Sequence, residues 1–345
     1  MNTNSTLSNP ATNNTNNTNN PNNGEYKEIK LYDLTANQIL DFDIYIYLSI
    51  NNKFIKYLSR NNFLDDDQLL RLKCKHVIQL FIHKDDINNY NKYLSSSIKG
   101  QISQNNLSDN QKMELIKNSA CNIIESVNSI TGDDGAITWT NNCINLTKII
   151  VSDLSETKIS TIYDKLRGLL STKPTLINHS LSVSSLGVVF GMALGIHDAK
   201  SISELALGGL LHDIGFSNTS VDLVEKYLNS NELTSEELSQ LKTHPSEGYQ
   251  IVGKILKSAK ITDNIIKIIL EHHENAAGSG YPIGKGLPSL SYLCKIVAIA
   301  DKTSIDILKY KTVDLKYSLA KLLKAQEERR EYDKVMLTQL LTVIK

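Results

Sequence analysis

Three times in the second half of this chain, an apolar stretch of helical period closes on histidine or aspartate. SELALGGLLHD ends at His212 and Asp213, ITDNIIKIILEHH at His272 and His273, and SYLCKIVAIAD at Asp301. Helices this apolar are buried, and a charged group at a buried end is costly unless it is paired or bound to a cation. Two further histidines have similar settings. His179 lies near the start of TLINHSLSVSSLGVVFGMAL, where Val183, Leu186, Val189 and Phe190 recur at helical spacing. The spacing predicts that His244 ends a helix opened by a Thr234–Glu237 capping box and stopped by Pro245. A lone histidine in such a place is usually a satisfied core residue. Five imidazoles and two carboxylates gathered together form a ready site for two divalent cations. Adjacent His212 and Asp213 can serve both if the carboxylate bridges. His197 lies in a polar helix end and reads as solvated.

From about residue 174 onward the chain reads as helix after helix, so this half is mainly α. The 345 residues are enough for two domains. Residues 1–24 are almost wholly Asn, Thr, Ser and Pro, a composition that cannot bury enough apolar surface to fold. Residues 25–100 read as a small α+β module. YKEIKL is strand-like. DFDIYIYLSI alternates, with Phe42, Ile44, Ile46 and Leu48 on one face and Tyr45 and Tyr47 on the other. The Asn51–Asn52 pair then turns it into KFIKYLS as a hairpin. A helix with Asp65 as its cap, a buried strand (77–82) and a further helix follow, giving a ββαβα order. His76 and His83 lie at element ends without partners. Residues 101–172 read as a helical linker, with TGDDGAITWTNN (131–142) as its clearest turn.

The formal net charge is zero, which gives no support for a nucleic-acid polymer as partner. No stretch reads as a membrane span or as a secretory signal. The four cysteines, Cys74, Cys121, Cys143 and Cys294, are far apart and form no C-x-x-C pair. This fits a reduced, cytoplasmic setting.

HDIG (212–215) together with HHENAAGSGYP (272–282) resembles the HD-GYP domain, the bacterial branch of the HD phosphohydrolases that degrades cyclic di-GMP. The likeness runs from about Lys173 to the C-terminus and implies an HD-type helical bundle over 173–345. The N-terminal module and its helices also resemble the leader of some members from predatory bacteria. The resemblance implies two divalent metal ions, iron first and manganese as the alternative. His179, His212, Asp213 and Asp301 would hold one ion. Asp213 would bridge to a second, held by His244, His272 and His273. Asp213 and His212 would be central to catalysis. Gly280, Tyr281 and Pro282 would shape the loop beside the substrate and offer a docking surface to GGDEF-type diguanylate cyclases. The implied reaction is hydrolysis of cyclic di-GMP to pGpG or GMP by a hydroxide that two metals activate. Helical leaders in such bacterial proteins often dimerise, so a homodimer belongs to the same expectation.

The chain departs from the family pattern at several positions. Phe216 stands where HDxGK has lysine, Ala277 where many members have aspartate, and Thr175 where trinuclear members have glutamate. The last of these predicts two metals rather than three. Lys309 and Lys311 are the candidates for phosphate contacts that the family makes with arginine. Loss of the Phe216-position lysine motivates a second reading, a weak or inactive member acting as a cyclic di-GMP receptor or adaptor.

Overall fold

The computed structural model describes residues 25–344 apart from 49, 76, 78, 91, 95, 97–108, 156–174, 230, 257–260 and 311–314. The tail at 1–24, His76, Lys311, the Lys309 side chain and much of the 101–172 linker lie outside that description. The chain divides after Ile87 into two compact units.

In the first unit, β1 (Tyr26–Lys30), β2 (Ile44–Leu48), β3 (Lys53–Leu58) and β4 (Gln79–His83) form one antiparallel sheet in the order β1-β4-β2-β3. YKEIKL therefore adds a fourth strand to the ββαβα pattern. The β2–β3 hairpin turns through Asn52, which takes a left-handed φ of 50°. Ile29, Ile44, Leu80 and Ile82 are buried on one face. The rings of Tyr26, Tyr47, Phe54 and Phe81 meet on the other, with Tyr26 stacked on Phe54 at 4.0 Å. Helix α1 (Asp66–Cys74) opens on Asp65 as expected. Asp65 Oδ1 accepts from the Gln68 amide at 2.6 Å, and Gln68 Oε1 accepts from the Asp65 amide at 3.0 Å.

The second unit is a helical bundle. α2 (Asp109–Ser126) and α3 (Gly132–Ser155) come first. The latter overturns the turn expected at 131–142. Ala136, Trp139, Thr140 and Cys143 are buried at helical spacing, and Asp133 and Asp134 in the first turn favour a helix start there. α4 (Leu176–Ala193) is long and apolar enough, by length and composition, to cross a membrane, which sequence reading had not picked out. It is the central helix here, packed against α2, α3, α5 (Ala199–Leu211) and α10 (Tyr292–Tyr310). A helix surrounded by others is apolar all round. α6 (Val221–Leu228), α7 (Ser235–Leu241), α8 (His244–Leu256) and α9 (Asp263–Glu271) follow α5, and α11 (Leu315–Arg329) and α12 (Lys334–Ile344) close the chain. No strand follows β4 among the described residues.

Two helix boundaries differ from expectation. Thr234 and Glu237 do form a capping box, but α7 stops at Leu241. His244 is the first residue of α8, and Pro245 sits in its first turn, where a missing N–H costs nothing. Asp301 lies in the middle of α10 rather than at its end. The helix continues because Thr303, Ser304 and Ile307 remain buried and extend its inner face.

The short helix Ile214–Asn218 joins α5 to α6 and packs on α8. Gly215 there touches the main chain of His244, and a β-carbon at 215 would overlap the His244 carbonyl oxygen. Glycine is thus required for the segment after His212 and Asp213 to approach His244. Gly215→Ala is expected to lower stability by about 1–3 kcal/mol through overpacking, read as a lower urea midpoint with unchanged slope.

Candidate metal centre

Seven side chains from five helices meet inside the bundle. His179 is in the first turn of α4. His212 caps α5, and Asp213 follows it. His244 starts α8. His272 caps α9, and His273 follows it. Asp301 comes from α10. All are buried except His273, which is half-buried. Their donor atoms form three overlapping clusters, each within 4.8 Å: Asp213 with His244, His272 and His273; His179 with His212 and Asp213; His212 with His272 and Asp301.

Asp213 divides its two oxygens between separate histidine pairs. Its Oδ2 is 3.4 Å from His179 Nε2 and 3.2 Å from His212 Nε2. Its Oδ1 is 3.0 Å from His244 Nε2 and 3.6 Å from His272 Nε2. Asp301 Oδ1 lies 3.1 Å from His179 Nε2, and its Oδ2 lies 3.7 Å from His273 Nδ1.

The fold also fixes how the rings point. The Nδ1 atoms of His212, His244 and His272 lie 2.9, 2.7 and 3.0 Å from the carbonyls of Gly209, Leu241 and Ile269. A carbonyl only accepts, so Nδ1 carries the proton and Nε2 turns a lone pair to the centre. His179 Nδ1 is instead 3.0 Å from the Ser304 hydroxyl, three residues beyond Asp301 on α10. The Nε2 atoms pair at 3.2 Å for His179 with His212 and 3.1 Å for His244 with His272. In the second pair, where carbonyls hold both Nδ1 protons, two lone pairs face each other at a separation that calls for a cation. Two nitrogens about 2.1 Å from one ion, at right-angled to tetrahedral ligand angles, stand about 3.0–3.4 Å apart. Donor type, tautomer and spacing all fit a divalent metal.

The charges agree. Burial raises the pKa values of Asp213 and Asp301, but the surrounding imidazoles outweigh it and hold both well below the usual carboxylate range. Burial pulls the His179 pKa down, and the carboxylates of Asp213 and Asp301 outweigh that and hold it at about 9. His273 is pushed well below 6.5 by burial and the neighbouring His272.

The loop after His273 forms the wall of the centre. Tyr281 stacks on His273 at 4.6 Å, and its peptide bond to Pro282 is cis. Gly280 lies against the His273 carbonyl with no room for a side chain. Glu274 is buried and holds the loop. Its Oε1 accepts from the amides of Ile283 and Gly284 at 2.6 and 3.0 Å, and its Oε2 from the Lys285 amide at 2.7 Å. Buried Glu271 adds an ion pair with Lys285 at 2.6 Å. Phe216 is buried among Leu223, Val224, Leu228 and Leu241 and stacks on the His244 ring at 4.1 Å. The position that resembles a phosphate-binding lysine is here an apolar support for His244.

Several neighbours of the centre escaped the sequence reading: Ser304, Lys242, Tyr227 and Tyr332. Ser304 carried a signal, a polar residue one helical turn beyond Asp301 on an otherwise apolar face. Lys242, two residues before His244, carried a weaker one. Tyr227 and Tyr332 look like ordinary helix and turn residues.

The HD domain family model matches residues 166–334. Over 171 residues the chain is 30% identical to the cyclic di-GMP phosphodiesterase PdeB of Borreliella burgdorferi, covering 49% of this chain and 42% of that protein. Over 123 residues it is 29% identical to the cyclic di-GMP phosphodiesterase PA4108 of Pseudomonas aeruginosa, covering 36% and 28%. The matches therefore span less than half the length of these relatives. The solved structure of Bd1817, an HDG"Y"P protein from Bdellovibrio bacteriovorus, superposes with a TM-score of 0.62 at 25% identity, covering 93% of this chain and 99% of that one.

A raised His179 stabilises the metal-free fold fully below pH 6.5, and that contribution is lost as the pH rises through about 9. Metal binding must displace the same proton, so its pH dependence has the opposite sign. Manganese affinity is expected to rise about tenfold from pH 7 to pH 8 with release of one proton. Calorimetry in buffers of different ionisation enthalpy measures both quantities, and a pH-independent affinity would contradict this assignment.

Proposed function

This chain carries an HD domain related to the HD-GYP cyclic di-GMP phosphodiesterases, and from that premise we propose that it hydrolyses cyclic di-GMP to pGpG or GMP with two divalent metal ions. The observation that carries this reading is the split of Asp213, one oxygen to each histidine pair. A single-ion site has no use for that arrangement, and a bridged pair requires it.

Asp213 would bridge two ions. His179, His212 and Asp301 would complete one site, and His244, His272 and His273 the other. Imidazole and carboxylate donors suit iron or manganese. When bound, the two cations would supply positive charge to the phosphoryl oxygens and lower the pKa of the attacking water. The chain supplies the rest. The carbonyls of Gly209, Leu241 and Ile269 keep three imidazoles aimed without reorganisation. The Tyr281 ring and the loop held by Glu274 wall off the His273 side of the centre. The four cysteines are far apart in sequence and form no C-x-x-C pair, which supports a reducing, cytoplasmic setting.

One observation favours the receptor reading. Phe216 fills an apolar cluster and offers no charge to a phosphate. Loss of one charged contact costs about 1.5–3 kcal/mol, which slows an enzyme without removing its metals. Protein loaded anaerobically with Fe(II) or Mn(II) is expected to convert cyclic di-GMP to pGpG or GMP. Asp213→Ala is expected to lose at least one metal per chain and to fall to the uncatalysed rate. Chromatography of products and elemental analysis measure these. Equal turnover by both proteins would rule out the two-metal mechanism, and tight binding without product would select the receptor.

A further inference from the structure

The centre lacks the cation expected at position 216, yet another cation stands at its rim. Lys242 Nζ lies 5.5 Å from the centroid of the Tyr281 ring, over its face. Tyr281 in turn stacks on His273 and meets His244 edge-on at 6.4 Å. Lys242 is exposed, and no carboxylate pairs with it among the described residues. The nearby Lys226 is held by Glu237 at 2.6 Å, and Lys285 by Glu271. Lys242 is thus a cation left unneutralised, among the described residues, beside the wall of the histidine–aspartate cluster.

Phe216 stacks on the His244 ring, and the Tyr227 ring centroid is 6.0 Å from that of Phe216. The Tyr227 phenol is half-buried and donates to no group among the described residues. Burial raises its pKa well above 10, and the carboxylates of Asp301 and Asp213 add to the rise. It is therefore a neutral hydrogen-bond donor within the field of the centre.

We propose that Lys242 and the Tyr227 hydroxyl form the anion-binding edge of this centre and take the substrate phosphate that a lysine at position 216 would otherwise meet. The cation is carried in from α7 over the Tyr281 ring, and Phe216 is released to pack the core. An ammonium over an aromatic face keeps its remaining N–H groups directed outward to a phosphate oxygen. This inference rests on the phosphodiesterase reading for its substrate, but not for its anion.

Calorimetric titration of inorganic phosphate into manganese-loaded protein tests it without turnover. Lys242→Gln is expected to weaken phosphate binding about tenfold, Tyr227→Phe by less, and Lys242→Arg to keep it, all with unchanged metal content. The KM for cyclic di-GMP should rise with Lys242→Gln while kcat changes less than twofold. Phosphate binding equal to wild type in Lys242→Gln, or no phosphate binding by the wild type, would overturn the proposal. A Lys242 effect on phosphate with neither binding nor turnover of cyclic di-GMP would leave the anion edge standing and remove the substrate assignment instead.

Discussion

One buried carboxylate organises this molecule. Asp213 has an imidazole Nε2 within 3.0–3.6 Å in four directions, two on each oxygen. Without compensating charge such a group would be protonated or expelled from the core. The helices around it are positioned to prevent that. α4, α5, α8 and α9 each bring an end to it, and α10 brings its middle. The backbone carbonyls at Gly209, Leu241 and Ile269 orient three rings by geometry that α-helix ends leave free. Close packing elsewhere, such as Gly215 against His244, follows from the need to bring these ends within a few ångströms.

The donor set was legible in the sequence because its chemistry is incompatible with its surroundings. A histidine or aspartate closing an apolar run is costly to bury unless a partner or a cation meets it, and five such histidines multiply that cost. The helical character of the second half and the α1 cap at Asp65 were legible for the ordinary reason that period and cap chemistry are local. What was not legible depended on contacts distant in sequence. Gly132, Asp133 and Asp134 read as a turn until Trp139 and Cys143 are seen buried behind them. Pro245 reads as a stop after His244 or as the first turn of a new helix, and only packing decides. Phe216 read as a lost charge, whereas its neighbours Leu223, Leu228 and Leu241 make it a gained contact.

The same contrast separates the candidate metal ligands from the proposed anion-binding edge. Ligands to a cation must be specific atom types at fixed distances, so their identities are tightly constrained. A phosphate needs only positive charge and donors somewhere on its surface, and these can be supplied from several backbone positions. The anion edge proposed for Lys242 and Tyr227 would illustrate that freedom, since these residues come from elements that do not carry the motif.

The loop between His273 and α10 behaves as a ring closed without a covalent bond. Glu274 is the clasp, joined through three amides to residues 283–285, and Asn275 braces the interior by accepting from the amides of Ala277 and Ser279. In a ring of this kind, shape is set at the clasp and at Gly280, which has no room for a side chain, and the exposed side chains between them carry little of it. Ala277, where the family pattern often has aspartate, bridges by main chain to Gly286 across the ring, so its part in closure does not depend on its side chain. The segment can therefore accumulate substitutions at its exposed positions while still delivering Tyr281 to the same place, without disturbing the buried histidines and aspartates beneath.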